Sequence, residues 1–351
     1  MTLATAAREV RRVLICEDSQ TYAAGLSRLL ARDPEIDVIG VCSSAEETLA
    51  QLRRIEPKPH LVTMDLELPG MSGGTAIEQI MSVQPVPILV LAGGATRGSA
   101  TALASLGAGA LEVLSKDELD LRDPGSADAR AFCARVKLLS RVRVLRHPRG
   151  GLNQRSPTPV AGRRAAVIGI CASAGGPQAL ASVLAGLPDT FTIPILVVQH
   201  IAKGFSAGFA RWLDDQVPLS VRLARPGPAA AGIWVAPEGA HLVLGGAGRL
   251  ALDEHGASAP HRPSADVLLH SVATGARADG VAVVLTGMGR DGALGLGEVR
   301  RAGGLTIAQD EVSSAVFGMP MAAVEQGAEL VLAPERIGEQ LRTLRHVGLP
   351  S

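Results

Sequence analysis

The residues best suited to chemistry fall into two groups, each standing at the ends of short apolar runs. In the first, Val13–Cys16 leads into Glu17 and Asp18, Leu61–Met64 leads into Asp65, and Leu111–Leu114 is followed by Lys116. Carboxylates gathered at one sheet edge repel one another unless a hard cation lies between them. Mg²⁺ takes oxygen ligands and keeps waters, so Glu17, Asp18 and Asp65 are its candidate ligands. The ion would also neutralise an incoming phosphoryl group, and Lys116 is placed to pair with a phosphoryl oxygen.

The second group uses three more strand ends. Ala166–Ile170 is followed by "CASAGGPQAL", Pro194–Gln199 ends in His200, and Val281–Leu285 runs into "TGMGRDGALG". Ser173 lies in a small-residue turn before a helix, which suits a nucleophile and equally suits a phosphate-binding turn. A Ser hydroxyl needs a base, and a histidine, here His200, suits that role at neutral pH. The base needs an orienting acceptor, which Asp291 supplies in a Gly-rich loop. The backbone N–H of Met288 in that loop is the candidate oxyanion donor. The order Ser…His…Asp differs from the usual α/β-hydrolase order, which implies a different doubly wound fold.

These side chains need a scaffold that brings strand ends together. Apolar runs alternate with helical patterns from about Arg11 to Asp120 and again from Ala165, which predicts βαβ units and parallel sheets covered on both faces. A hairpin-like pattern around Trp234–Leu252 interrupts the second series. Three parts are therefore expected: a domain over residues 11–121, a helix and linker over 122–164, and a second α/β domain over 165–351. A basic-faced helix is predicted over Ala127–Arg146, carrying Arg130, Arg135, Lys137, Arg141, Arg143 and Arg146. It reads as a solvated face or a docking face. Pro148, Pro157 and Pro159 mark the linker that follows.

The blocks "ICEDS", "VTMDLELPGMSG" and "LSKDE" resemble a response-regulator receiver domain, of flavodoxin-like fold. That resemblance implies that Asp65 is the phosphoacceptor, that Glu17 and Asp18 help hold Mg²⁺, and that Lys116 contacts the phosphoryl group. Two positions depart from it. Ala92 stands where receivers carry Ser or Thr, and Asp117 stands where Pro follows the Lys. The blocks "ASAGGP", "QHIAKGFSAGFA", "HRPSADVLLHSVA", "LTGMGRDGALG", "GGLTIAQDE" and "SSAVFGMPMAA" resemble, in order, the protein-glutamate methylesterases of bacterial chemotaxis, the CheB family. This second resemblance implies hydrolysis of glutamate γ-methyl esters, and often glutamine deamidation, on methyl-accepting chemoreceptors. It assigns Ser173, His200 and Asp291 as nucleophile, base and orienter, and puts Arg262 at the substrate. It also implies a CheA-type histidine kinase as partner. Cys171 replaces a usual Gly. Two other readings stay open: a non-catalytic docking protein, motivated by Ala92 and Cys171, and a serine esterase acting on another methylated protein.

Bulk composition limits the rest. Of 351 residues, 34 are Lys or Arg and 34 are Asp or Glu, so no basic excess points to nucleic acid. Aromatic residues at 2% supply no stacking platform. Four unpaired-looking cysteines, no signal-type apolar stretch and no apolar run of membrane-spanning length predict a cytoplasmic chain with reduced thiols. No receptor-docking peptide is expected after the last helix. His255, His261 and Asp253 are expected in a solvated loop, Trp212 and Trp234 in packing positions, and Met319, Pro320 and Met321 in the core.

Overall fold

The protein is described by a computed structural model over residues 9–93, 100–142, 162–256 and 259–349. Its internal contacts divide the chain into two compact units, Met1–Arg149 and Gly150–Ser351.

The first unit alternates strand and helix: β1 (Arg11–Cys16), α1 (Gln20–Leu30), β2 (Ile36–Cys42), α2 (Ala45–Arg54), β3 (Leu61–Asp65), α3 (Gly73–Val83), β4 (Ile88–Ala92), α4 (Ala100–Gly107), β5 (Glu112–Ser115) and α5 (Ala127–Leu139). The strands form one parallel sheet in the order β2-β1-β3-β4-β5. β3 and β4 are buried along their whole length, as their unbroken apolar runs require of a sheet covered on both faces. Serines set the helix starts: Ser19, Ser44, Ser72 and Ser126 each accept a backbone N–H of the first turn. Such caps are worth about 1 kcal/mol apiece. The chain leaves β1 for β2 on one side and returns to β3 on the other, so the carboxyl ends of β1 and β3 flank a topological switch point.

Helix α5 is shorter than the sequence predicts. It ends at Leu139, with Ser140 as its C-cap. Arg143 and Arg146 lie outside the described residues. Part of the basic face turns inward onto its own unit: Arg135 pairs with Glu112 at 2.7 Å, and Lys137 with Asp33 at 2.8 Å and Glu35 at 2.7 Å. Only Arg130 and Arg141 of the described basic residues are fully exposed.

The second unit contains β6 (Arg164–Ala165), β7 (Val167–Ala172), α6 (Gly176–Ala185), β8 (Ile195–Gln199), α7 (Ser206–Gln216), β9 (Val221–Leu223), β10 (Gly227–Pro228), β11 (Ile233–Val235), β12 (His241–Gly245), β13 (Arg249–Asp253), α8 (Ala265–Ala276), β14 (Gly280–Val284), α9 (Ala293–Arg301), β15 (Leu305–Gln309), α10 (Met319–Glu325), β16 (Leu330–Leu332), α11 (Pro334–Arg342) and β17 (Arg345–His346). Seven strands make a parallel sheet in the order β16-β15-β14-β7-β8-β11-β9. The predicted hairpin is a separate antiparallel sheet, β10-β13-β12, and Trp234 belongs instead to parallel β11. The predicted linker ends early. Gly162 N–H donates to Thr343 O, Arg163 pairs with Glu329 at 2.9 Å, and β6 pairs with β17. Pro148, Pro157 and Pro159 lie outside the described residues.

Helix α8 presses on the sheet through Leu268, Leu269 and Val272, all fully buried. Burial of each such side chain is worth about 1.5–3 kcal/mol. The contact needs Gly169 on β7, where a Cβ would lie 2.7 Å from Leu269 Cδ2. Among the described residues no helix is long and apolar enough to cross a membrane.

Candidate active site

The three central strands of the second sheet, β14, β7 and β8, carry the candidate catalytic loops at their carboxyl ends. Ala172 and Gln199 are paired in register, which sets Ser173 and His200 on neighbouring strand exits. The ladder continues one step further: His200 N–H donates to Ala172 O at 2.9 Å, and Ser173 N–H to Thr286 O at 3.0 Å. Gly175, at φ +73°, then turns the chain into α6, and Gly176 N–H closes the turn on Ser173 O at 2.8 Å. The buried Gln199 side chain spans both exits, its Nε2 donating to Ser173 O at 2.8 Å and to His200 O at 2.9 Å.

Asp291 reaches His200 from the loop after β14, with Oδ2 2.8 Å from the ring's Nε2. Its carboxylate is filled on every side. Ala265 N–H donates to Oδ2, and Ser264 Oγ–H and Asp266 N–H donate to Oδ1, at 2.8–2.9 Å. Burial pushes this carboxyl up, but the bond from His200 and the two backbone N–H groups outweigh it and hold the group well below the usual carboxylate range. Asp291 is therefore ionised and fixed. Because Nε2 faces Asp291, Nδ1 is the nitrogen left for the nucleophile. Ser173 is held through its backbone, its N–H donating to Thr286 O and its carbonyl accepting Gln199 Nε2 and Gly176 N–H.

Met288 sits in the same loop, half-buried. Gly287 lies so close to Ser173 that a Cβ there would be 2.8 Å from Ser173 Cβ. Gly287 O accepts Gly318 N–H at 3.2 Å and Met319 N–H at 2.9 Å. The trans peptide therefore turns the Met288 N–H away from α10, on a unit that cannot rotate.

Two positions, His261 and Met321, differ from the sequence reading. His261 is exposed but is not merely in a solvated loop: its ring stacks on that of His200, centroids 4.4 Å apart. Arg262 donates to Glu254 O. Met319 and Pro320 are core, whereas Met321 is 46% exposed, because the short α10 turns that face outward. Cys171 is fully buried under Ala265, and burial raises its thiol far above the ordinary value, so it is no nucleophile at neutral pH. The resemblance puts Ser264 on the active-site face, where its Oγ meets Asp291, whereas sequence reasoning missed Gln199 and Asp266 as neighbours of the triad. The position of Ser264 and Asp266 at a helix start, in "HRPSAD", is the signal that points to capping roles.

In the first unit the carboxylates of Glu17, Asp18 and Asp65 converge, with ligand oxygens within 4.8 Å of one another. Glu17 and Asp65 are buried and Asp18 is exposed, so this all-oxygen set opens to water on one side and fits Mg²⁺. Lys116 bridges the buried pair, its Nζ 2.6 Å from Glu17 Oε2 and 2.7 Å from Asp65 Oδ2, over the ring of Tyr22. Burial, with the neighbouring Asp65 charge, holds the Glu17 carboxyl above its ordinary value, and Lys116 offsets only part of this. Helix α3 starts directly against the acceptor strand: a Cβ on Gly73 would lie 2.5 Å from Asp65 O. Ala92 is fully buried at the end of β4 and brings no hydroxyl to the pocket.

Residues 168–341 match the family model described as CheB methylesterase, and residues 13–122 that described as response regulator receiver domain. The protein-glutamate methylesterase/protein-glutamine glutaminase 2 of Anaeromyxobacter dehalogenans is 44% identical, over 98% of this chain and 99% of its own. Number 3 of Myxococcus xanthus is 42% identical, over 93% of this chain and 92% of its own. The solved CheB methylesterase catalytic domain of Thermotoga maritima is 36% identical, covers 52% of this chain and 98% of its own, and has a TM-score of 0.48. Full-length similarity of this order, with both family models matched in sequence, places the chain in the CheB methylesterase family, with a response regulator receiver domain ahead of the esterase domain.

Proposed function

We propose that the protein is a cytoplasmic protein-glutamate methylesterase that works by serine chemistry on methyl-accepting chemoreceptors. The observation that carries this reading is the ionised Asp291 bonded to His200, one strand exit away from Ser173. His200 Nδ1 takes the Ser173 proton as Oγ attacks the ester carbonyl. The Met288 N–H holds the oxyanion, His200 protonates the departing methoxide, and methanol leaves. Water, deprotonated by His200, then releases the glutamate and restores Ser173. A receptor glutamine passes through the same acyl-serine with ammonia as leaving group.

Control is assigned to Asp65 as phosphoacceptor from a CheA-type histidine kinase. Glu17, Asp18 and Asp65 would hold Mg²⁺, which supplies charge neutralisation for phosphoryl transfer. Lys116 then exchanges a carboxylate partner for a phosphoryl oxygen.

The test is methanol release from methylated chemoreceptor membranes by wild type and Ser173→Ala, with and without a small phosphodonor and Mg²⁺. Release by wild type alone, raised by the phosphodonor, is expected. Release that the phosphodonor does not change removes the control by Asp65. That outcome follows if the missing hydroxyl at Ala92 disables the switch. Equal release by both proteins removes the serine mechanism.

A further inference from the structure

Two helix starts next to the triad cap each other. Asp291 stands just before α9, yet its carboxylate accepts the Ala265 and Asp266 N–H groups at the start of α8. Asp266, in the first turn of α8, does the converse. Its Oδ1 accepts Gly295 N–H at 2.9 Å in the first turn of α9, whose own N-cap, Gly292, has no side chain to offer. The N–H groups of Gly292 and Leu294 face the same carboxylate. The close approach is built in: a Cβ on Gly295 would lie 2.6 Å from Leu269 Cβ and 2.8 Å from Asp266 O.

We propose that Asp266 is a positioning residue for the esterase, holding the start of α9 on α8 and so fixing the loop that aims Asp291 at His200. An ordinary N-cap bonds the first turn of its own helix, whereas the Asp266 side chain reaches the first turn of a different one. Burial and the neighbouring Asp291 both push the Asp266 carboxyl up, so it is the acceptor oxygen toward Gly295 N–H that holds α9. What the arrangement gains is a closed circuit. α8 holds Asp291 through its N-terminus, α9 is held by α8 through Asp266, and the short stretch Asp291–Gly292 between them has no freedom left. A loosened α9 would leave Asp291 bonded to α8 but misdirected toward His200, and small misplacements at a reacting centre are costly.

The inference rests on the Ser173–His200–Asp291 reading, so the test carries a readout independent of turnover. In the full-length protein, Asp266→Ala, Asp266→Asn and Gly295→Ala are compared with wild type, Ser173→Ala and Asp291→Asn. Three quantities are followed: kcat and KM for methanol release, thermal unfolding, and the downfield NMR resonance of the His200 imidazole proton shared with Asp291. Asp266→Ala should lose about tenfold or more in kcat with KM little changed, and its downfield resonance should broaden or vanish. Asp266→Asn keeps an acceptor for Gly295 N–H and should recover both. Gly295→Ala leaves the acid but pushes α9 away, and should resemble Asp266→Ala. A folded Asp266→Ala or Gly295→Ala with wild-type kcat and resonance overturns the proposal, as does an Asp266→Asn no better than Asp266→Ala. Equal turnover by Ser173→Ala and wild type would instead remove the triad reading, while the resonance still reports whether Asp266 aims Asp291.

Discussion

Gln199 and Gly176 pack so closely that no side chain fits between them: a Cβ on Gly176 would lie 2.2 Å from Gln199 Oε1. That fit lets one amide bond the carbonyls of both Ser173 and His200 and couple the two strand exits. Gly176→Ala should therefore cost about 1–3 kcal/mol through overpacking. It should also lower kcat for methanol release, because the amide must move. Urea unfolding and turnover measured together check this, and a stable variant with unchanged kcat would show that the clamp is dispensable.

Asp291 orients the ring and caps α8 at once. Asp291→Asn should reduce kcat by about 10⁴-fold, as the same change does in other Ser-His-Asp sites. It should lose about 1–3 kcal/mol of stability, because an amide cannot accept all four hydrogen bonds that the carboxylate accepts. Ser173→Ala should abolish turnover and leave stability unchanged within about 0.5 kcal/mol.

The pH dependence of that stability has a defined sign. The folded Asp291 carboxyl lies below its unfolded value of about 3.9. Its stabilisation is complete above the unfolded value and is lost as pH falls through the folded one. The gap in unfolding free energy between wild type and Asp291→Asn should thus be constant from neutrality to about pH 5 and shrink below about pH 4. Urea titrations across that range measure it, and a gap that persists at low pH would contradict the assignment.

In the receiver pocket the single charge of Lys116 is shared between Glu17 and Asp65. Lys116→Met should bind Mg²⁺ more tightly, by roughly fivefold or more, since a unit charge at contact distance is worth about 1 kcal/mol in water and more beside buried carboxylates. Calorimetric titration with Mg²⁺ reads this directly. The same variant should lose phosphodonor stimulation of methanol release, because the phosphoryl contact is gone.

Much of this architecture is legible in the sequence because β3, β4, β7, β8 and β14 are fully buried, and an unbroken apolar run between turn signals betrays such strands. Ser173, His200 and Asp291 stand out because each follows such a run. The pieces that escape are short or edge-bound. β9 and β16 have three residues each, Val331 faces outward, and β6 pairs with β17 from the far end of the chain. Met321 reads as core because its neighbours are apolar, and only the turn of α10 shows that its face is open. Gln199, His261 and Asp266 act through partners distant in sequence or across a loop, and no local spacing encodes a stacked ring or a reciprocal cap.

The orientation of the His200 ring has a consequence for covalent probes. In the better-known serine hydrolases the acid holds Nδ1, and Nε2 faces the nucleophile. Here the assignment is reversed, with Nε2 buried against Asp291. A haloketone shaped to enter the cleft would alkylate His200 at Nδ1 with loss of halide, and peptide mapping of the adduct would distinguish this protein from those hydrolases by the isomer of alkylhistidine it yields.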